Sequence, residues 1–357
     1  MNKAVIISAT KTVDGAGCMQ HSLDIEAAII ALGIDIHHLY IEPLSADWNA
    51  EPQPDHFKSG CAPVEALARA KSLIEQGTSI PKAVIITGHD DLKTGYHRDE
   101  RLRLMSVYAD DYPLTQAYTD LAKQFIRHHD IDEDLFRAIS KSLFDNHKTS
   151  YRNALCDDFS PAMLPDERWY QPLTELFRGV DCANPLVDFS GRVLLCNEVL
   201  AEQLNIPQNE QVNVSAVGVS KLEGDGPEHI DQIADYQHLK AAYLDCCKQA
   251  GIDFAARFRK GEALLETYTC YPVVPMAFLL VSGLVDMLED IPEFLKQHSI
   301  TITGGMNLAR APWNNPALNG IIDMVKRLID GDEEIGLIHA NGGLGYRQGV
   351  ALLGRCG

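Results

Sequence analysis

Three short segments rich in glycine or proline lie in the last third of the chain, and each follows a run of residues typical of a β-strand. They span residues 268–272, 303–315 and 339–345, after the extended or β-branched runs that end at 268, 303 and 339. Loops at strand ends carry most binding and catalytic residues, because the strands hold them in place. The pattern therefore predicts an α/β fold in which these three loops form the rim of a ligand site.

Length and charge narrow the class of protein. A chain of 357 residues suggests two domains, or two halves of one large α/β unit. A hydrophobic share of 46% and a charged share of 23% are ordinary for a globular protein with a large core. The formal charge of −19 argues against a nucleic-acid partner, since phosphate backbones need a basic face. It still allows a small anionic ligand in a locally positive site.

Targeting features and cysteine spacing favour a cytoplasmic protein. The N-terminus leads straight into a strand-like run with no signal peptide, and no run of about eighteen apolar residues predicts a membrane span. The nine cysteines form no Cys-x-x-Cys pair. We therefore expect reduced thiols in a cytosol, most of them filling the core.

A cysteine lies at the start of a predicted helix in the first part of the chain. Apolar residues recur with helical spacing over 62–76, and Gly77 ends the helix before a strand at 83–88. Cys61 is then placed at the helix N-terminus, where free N–H groups and the helix dipole favour a thiolate. Cys61 is thus a candidate nucleophile; the alternative is a small residue at a tight turn.

The composition changes over residues 95–176, with more His, Asp, Tyr and Arg and fewer β-branched runs. Helical spacing over 114–129 and 132–146 predicts a helical insertion between two strands of the α/β layer. The histidines of this region match no metal-ligand template and are interpreted as a solvated helix surface: His128, His129 and His147. Further strands are predicted at 4–7, 191–196 and 212–217, and further helices at 22–32, 198–204, 239–250, 278–288 and 318–329.

The order of these features resembles the thiolase superfamily over most of the chain. The helix at 62–76 and the strand after it resemble the family's nucleophile helix and following strand. Residues 268–272 lie where thiolases have Asn-Glu-Ala-Phe, or His-Asp-Cys-Phe in the sterol-carrier-protein type. Residues 303–319 resemble the loop with a Gly-His-Pro motif, and 338–345 the final glycine-rich loop. In detail the chain looks like thiolase-like proteins described as acetyl-CoA acetyltransferases.

The resemblance implies a thiolase-like fold with two similar β/α halves in a layered α-β-α-β-α core. The halves would span residues 1–208 and 209–357, with the helical insertion at about 95–185. It also implies coenzyme A thioesters or acyl-carrier thioesters as substrates, no bound cofactor, and a homodimer or a hetero-assembly. No dinucleotide, P-loop or metal motif is present, so we predict no nucleotide cofactor and no metal.

The sequence departs from the thiolase pattern at its most important positions. The histidine of the Gly-His-Pro motif corresponds to Ala311, so that hydrogen-bond donor is missing. Counting back from Gly77, the usual nucleophile position is Gly60, and a shift of one residue turns a helical side chain by about 100°. The final loop has His339 or Ala340 in place of the cysteine of many thiolases.

Several side chains could still supply the chemistry. Cys270, at the cysteine position of the sterol-carrier-protein type, could be a nucleophile or an acid/base, with His339 as its proton partner. Amide groups of Asn314, Asn315 and Asn341 could bind the thioester oxygen. Substrate-binding positions are completed by Gly342, Gly343 and Trp313. The alternatives are a core cysteine, a satisfied loop histidine, turn-forming asparagines and a surface tryptophan.

Two functions are compatible with these residues. The first is a thiolase-type acyltransferase in which Cys61 or Cys270 accepts the acyl group from an acyl-CoA, in condensation or in thiolysis. The second is a thiolase fold without turnover that binds an acyl-CoA or acyl carrier, or that serves as a partner subunit. Loss of the histidine at Ala311 is the main support for the second.

Overall fold

A computed structural model describes residues 3–47, 49–76 and 82–356, so Gly77, the predicted helix end, lies outside the described residues. Ten strands of the described chain form one sheet, nine of them on a single path and the tenth paired to its side, and the sheet divides into two half-sheets. The first half contains β1 (Ala4–Val13), β2 (Ala16–Gly17), β3 (Ile36–Ile41), β4 (His56–Phe57), β5 (Ala83–Asp91) and β6 (Asp188–Asn197). The second contains β7 (Val212–Lys221), β8 (Ala263–Glu266), β9 (Ile335–Gly342) and β10 (Arg347–Arg355).

The two half-sheets repeat one pattern of pairing. In the first, β3 runs parallel to β5, and the β5–β6 and β6–β1 pairs are antiparallel. In the second, β8 runs parallel to β9, and the β9–β10 and β10–β7 pairs are antiparallel. The halves meet where β1 pairs with β7 through only two residue pairs, Val5 with Asn213 and Ile6 with Val212. The predicted division into two similar β/α halves is therefore present in the sheet, while the exact boundary at residue 208 stays a prediction.

Thirteen α-helices of the described chain cover and separate the half-sheets. They are α1 (Gln20–Ala31), α2 (Ala62–Glu75), α3 (Arg98–Met105), α4 (Leu114–His128), α5 (Glu133–Leu155), α6 (Glu198–Gln203), α7 (Ile230–Ile233), α8 (Gln237–Ala250), α9 (Phe254–Arg259), α10 (Val273–Val281), α11 (Ile291–Gln297), α12 (Gly305–Leu308) and α13 (Pro316–Asp330).

Helices α2 and α13 form the central layer of the molecule. Both contact strands of each half-sheet, and they contact each other. The face of α2 that has helical spacing in the sequence, with Ala66, Ala70 and Ile74, is fully buried there. Small residues on this face let the helix lie close to two sheets at once.

The outer layers complete five layers in the order α-β-α-β-α. Helices α1 and α6 pack on the outer face of the first half-sheet, around Ile29 and Leu200. Helices α8 and α10 pack on the outer face of the second, around Leu239 and Phe278. The layered fold class predicted from the sequence is thus confirmed.

The segment between β5 and β6 contains the insertion expected from composition. It comprises α3, α4 and α5, followed by four short 3₁₀ turns at Cys156–Asp158, Pro161–Met163, Glu167–Tyr170 and Gly179–Asp181. Asp132 caps α5, since its carboxylate accepts from the N–H of Leu135. None of the helices in the described parts of the chain is long and apolar enough to cross a membrane.

Two predicted elements are wrong. Residues 299–303 were expected to form a β-branched strand, but they form an irregular connector. The Glu266 carboxylate organises it, accepting hydrogen bonds from the N–H groups of Ile302 (2.7 Å) and Thr303 (3.0 Å) and from the Thr303 hydroxyl (2.6 Å). The helix expected at 278–288 lies instead at Val273–Val281, because Pro272 is its N-cap and the run is apolar on every face, so periodicity could not locate it.

Glu266 gives the fold a testable pH dependence. Burial raises its pKa from 4.5 to about 7, although the hydrogen bonds from Thr303 and Ile302 act in the opposite direction. A pKa raised by folding means that the folded state binds more protons, so this group's contribution is fully present below about pH 4.5 and is lost as the pH rises through about 7. We expect Glu266→Gln to gain stability relative to the wild type between pH 5 and pH 8, by about 1–3 kcal/mol. Urea unfolding at both pH values measures this.

A control for that measurement is Glu228→Gln, which changes an exposed carboxylate. Its stability relative to the wild type should stay nearly constant over the same interval. If Glu266→Gln behaves like this control, the buried carboxyl does not titrate as proposed.

Candidate functional site

A cavity of about 660 Å³ lies between the ends of the central helices and the insertion. Its floor comes from the loops that follow β8 and β9 and from the residue before Cys61. Its outer wall comes from α3, the start of α4 and the 3₁₀ turns of the insertion. Apolar and aromatic side chains dominate, and Arg168 is the charged residue among those that line it. A cavity of this size and polarity fits the apolar part of a small-molecule ligand.

The nucleophile position at the head of α2 is closed. Gly60 lines the cavity, and a Cβ on it would lie 2.2 Å from the Tyr268 hydroxyl and 2.3 Å from the backbone oxygen of Asn341. Real Cβ atoms do not approach other atoms so closely, and the backbone oxygen cannot rotate away. The site therefore has room for glycine alone at residue 60, and the tyrosine fills the space of the missing side chain.

Cys61 does not reach the cavity. It is the N-cap of α2, as predicted, but its side chain is fully buried among core residues of the central layer. Burial and the nearby charge of Glu65 raise the pKa of the thiol well above its usual value, and the opposing effect of Arg347 is smaller. Burial therefore disfavours the thiolate expected at this helix N-terminus, and the role of Cys61 as a nucleophile stays a prediction.

Cys270 does line the cavity. Its thiol donates a hydrogen bond to the Tyr118 hydroxyl at 3.4 Å, and burial raises its pKa to about 12. Tyr118 in turn donates to the backbone oxygen of Gly343 at 2.9 Å and stacks on Tyr271 with ring centroids 4.0 Å apart. The thiol is therefore held in its protonated form in a rigid aromatic setting.

His339 lies behind the cavity floor and does not line it. Its Nε2 contacts Gln348 Oε1 at 2.8 Å, and its Nδ1 accepts from the N–H of Tyr268 at 3.4 Å. This pattern requires a neutral ring with the proton on Nε2. Burial lowers the pKa of the imidazole to about 4, and Phe278 stacks against it at 4.7 Å. Cys270 and His339 are thus not brought together as a proton-transfer pair.

A chain of hydrogen bonds connects this histidine to the cavity. Gln348 donates to Asn341 Oδ1 at 2.7 Å and to the backbone oxygen of Gly345 at 2.8 Å. Asn341 then donates to the Tyr118 hydroxyl at 3.1 Å. The chain fixes which way the Asn341 amide faces, since its oxygen is occupied by Gln348 and its nitrogen by Tyr118.

The remaining predicted residues divide between the cavity and its support. Trp313, Asn341 and Gly343 line the cavity, and so does Ala311, the position of the missing histidine. Asn314 and Asn315 do not line it. Asn314 accepts from the N–H of Ser59 at 3.2 Å and donates to the backbone oxygen of Glu42 at 2.9 Å, so its amide is already used. Gly342 lies against Ser59 and Arg347 behind the floor.

Sequence reasoning missed three contributors. Tyr118 lies in the insertion, within the helix predicted at 114–129, and the helical spacing did not single it out. Gln348 lies on β10, which carries no motif. Cys182 follows a 3₁₀ turn and lines the cavity beside Cys270, since the N–H of Ala183 donates to the backbone oxygen of Cys270 at 2.8 Å.

A metal site is not formed by the described residues. No group of three or more His, Cys, Asp or Glu side chains in that part of the chain is arranged to hold an ion. His147 is buried, so its interpretation as part of a solvated helix surface is wrong, and that burial lowers its pKa to about 4. The prediction that His128, His129 and His147 do not form a metal site stays a prediction.

The fold and this site define a thiolase-like architecture. A structure titled a monomeric SCP2-thiolase-like protein type 1 (STLP1) from Mycobacterium smegmatis matches 99% of this chain and 78% of that one, with a TM-score of 0.68 and 16% identity. An Ltp2-ChsH2(DUF35) aldolase matches 99% of this chain and 98% of that one, with a TM-score of 0.66 and 13% identity. At these identities the likeness establishes the fold. No family model and no curated protein matches the chain.

The burial of the candidate thiols predicts their reactivity. Alkylation requires the thiolate, and burial raises the pKa of both Cys61 and Cys270. In folded protein treated with iodoacetamide at pH 8, the exposed Cys18 and Cys156 should react fully while Cys61 stays unlabelled. Peptide mass mapping measures the labelled fractions.

The matched control for alkylation is the same protein in urea, where every cysteine becomes accessible and should be labelled. Labelling of Cys61 in the folded protein as fast as that of Cys18 would show an accessible, activated nucleophile and would contradict the geometry of the site.

Proposed function

We propose that this chain binds acyl thioesters, carried by coenzyme A or by an acyl carrier, without forming an acyl-enzyme at the head of α2. The observation that carries the proposal is the closed nucleophile position: Gly60 has no space for a side chain because Tyr268 and the backbone oxygen of Asn341 occupy it. Covalent acyl transfer needs an activated nucleophile next to the thioester carbon. Cys61 is one residue away, but its side chain is buried in the core.

The walls of the cavity support an apolar acyl group as the bound part. Leu102 and Leu173 line it and are 52% and 55% exposed, so the apolar lining continues to the mouth. An acetyl group would leave most of the 660 Å³ unfilled, and each additional buried CH₂ contributes about 0.8 kcal/mol. Medium or long acyl chains, or bulky ring-bearing ones, are therefore favoured over acetyl.

The floor offers donors for the thioester oxygen. Gly60 and Gly343 both line the cavity, and neither backbone N–H donates to a described residue. Backbone N–H groups are common oxyanion-type donors to carbonyl oxygen. The Tyr268 hydroxyl lies at the same place and adds a third group that can donate a hydrogen bond. We assign the polar head of the ligand to this floor.

Direct binding tests the proposal. We expect lauroyl-CoA to bind at least about a hundredfold more tightly than acetyl-CoA, because ten further CH₂ groups enter the cavity. Isothermal titration calorimetry measures both affinities. Ala183→Phe, which places a ring in the cavity wall, should weaken lauroyl-CoA at least about tenfold.

Ala162→Phe is the matched control, because it makes the same change on an exposed residue outside the cavity. Intact-mass spectrometry after incubation with lauroyl-CoA and acetoacetyl-CoA should show no acyl adduct. An adduct mapped to Cys61 or Cys270 would revive the acyltransferase hypothesis; failure of any acyl-CoA to bind would end the binding proposal.

A second candidate is cleavage of a carbon–carbon bond in a β-hydroxyacyl thioester. The Tyr268 hydroxyl favours it, as does the similarity to a structure titled an aldolase, whereas Tyr118 already donates its proton to Gly343. In such a step a general base takes the proton of the β-hydroxyl, the Cα–Cβ bond breaks to give an aldehyde and a thioester enolate, and the protonated base returns the proton to Cα. Burial raises the pKa of Tyr268, which keeps its hydroxyl protonated and able to donate a hydrogen bond to the thioester oxygen.

Incubation with 3-hydroxylauroyl-CoA separates the second candidate from the first. An aldolase would release acetyl-CoA and a ten-carbon aldehyde, both detectable by mass spectrometry, and Tyr268→Phe would slow that release at least about tenfold. Binding of 3-hydroxylauroyl-CoA with no product would rule out the aldolase candidate and leave ligand binding as the function.

The assembly state is also a proposal. The family resemblance implies a homodimer, one similar structure is titled monomeric, and the other is titled as an assembly of Ltp2 with ChsH2(DUF35). We propose that a partner subunit completes the function of this chain. A single species of monomer mass by light scattering in lysate-purified protein, with no co-purifying chain, would argue against it.

A further inference from the structure

Two residues beside the cavity have backbone conformations that side-chain-bearing residues rarely adopt. Ser59, directly before Gly60, has φ of +117°, and Trp313, in the cavity wall, has φ of +36°. Such conformations are strained and persist only where the surrounding structure enforces them. They concentrate at functional sites, and here they lie on the two loops that form the floor and one wall.

One side chain joins these loops. Asn314, next to Trp313 in the chain, accepts a hydrogen bond from the N–H of Ser59 at 3.2 Å and donates to the backbone oxygen of Glu42 at 2.9 Å. It is 1% exposed and does not line the cavity. Ser59 is fully buried, and its hydroxyl accepts from the N–H of Cys61 at 3.1 Å. Residues 59–61, here called the elbow, are thus held by two hydrogen bonds, one to Asn314 and one between Cys61 and the Ser59 hydroxyl.

We propose that Asn314 is the positioning residue of the cavity: it holds Ser59 at positive φ and thereby places Gly60 at the floor. The expected effect on ligand affinity rests on the proposed binding function, whereas the effect on the backbone of Ser59 does not. A Cβ on Gly60 would lie 2.2 Å from the Tyr268 hydroxyl and 2.3 Å from the backbone oxygen of Asn341. Gly60 therefore packs directly against both, and a movement of residues 59–61 changes the shape of the floor. Asn314 acts through the elbow and does not touch the ligand.

The test uses Asn314→Ala and a matched control, Asn146→Ala. Asn146 is also a buried asparagine that bridges backbone groups, with bonds of 2.8 Å to the oxygens of Leu295 and His298, but it lies outside the cavity. Hydrogen exchange of peptides covering 57–62 is expected to accelerate at least about tenfold in Asn314→Ala and to stay unchanged in Asn146→Ala. Affinity for lauroyl-CoA should fall at least about tenfold in Asn314→Ala alone.

A rescue experiment distinguishes positioning from a general loss of stability. Glycine adopts positive φ without strain, so Ser59→Gly should restore exchange and affinity in the Asn314→Ala background to within about threefold of the wild type. Ser59→Ala keeps the strained Cβ and should not restore them. Both variants lose the serine hydroxyl, so the difference between them reports the backbone alone.

Each outcome decides a separate claim. Unchanged exchange at 57–62 in Asn314→Ala overturns the inference, whether or not any ligand binds. Faster exchange that Ser59→Gly fails to reverse overturns it too, because Asn314 would then act by another route. If wild-type protein binds no lauroyl-CoA while the exchange results hold, the proposed function fails and the positioning role stands.

Discussion

The burial of α2 and α13 between two half-sheets is the constraint on which the rest of the structure depends. A helix with sheets on both sides must be apolar over most of its surface and small where the sheets come close. In helix α2 the buried residues Ala66, Ala70 and Ile74 satisfy this requirement, and the first turn of the helix is buried in the same core. A polar or charged side chain in this layer therefore loses its hydration, and the cost of this loss disfavours its charged form.

That cost explains why the groups with catalytic potential are found in uncharged forms. Burial raises the pKa of Cys61 and Cys270 and lowers that of His339, in each case toward the neutral species. A thiolase-type nucleophile needs a charge-stabilising partner close to the thiol to offset the same cost. Here the histidine faces Gln348 and not a thiol, and the effect of Arg347 on the pKa of Cys61 is smaller than that of burial. Burial thus favours hydroxyls, amides and thiols as neutral hydrogen-bonding groups in the site.

Much of the fold could be predicted from the sequence, because the layers depend on hydrophobic period and on the order of motifs. The positions of α2, β5 and α13 follow from apolar spacing and from prolines and glycines at their ends. The site was less accessible to sequence. Whether the Cys61 side chain enters the cavity depends on its direction around the helix axis, which changes by about 100° per residue. It also depends on what occupies the space beside Gly60, and Tyr268, more than two hundred residues away, occupies it. Likewise the amide nitrogen of Asn314 could donate to an oxyanion, but it donates to the backbone oxygen of Glu42 instead.

The insertion that caps the cavity leaves and rejoins the sheet at one point, since Asp91 at the end of β5 pairs with Asp188 at the start of β6. The Asp188 carboxylate also accepts from the N–H groups of Lys93 and Thr94, which closes the neck of the loop. Closing a loop with fixed ends costs only about 0.6 kcal/mol more for each doubling of its length. The cap can therefore lengthen, shorten or be rebuilt in related chains without disturbing the five layers, so ligand choice in this architecture can diverge faster than the scaffold that carries it.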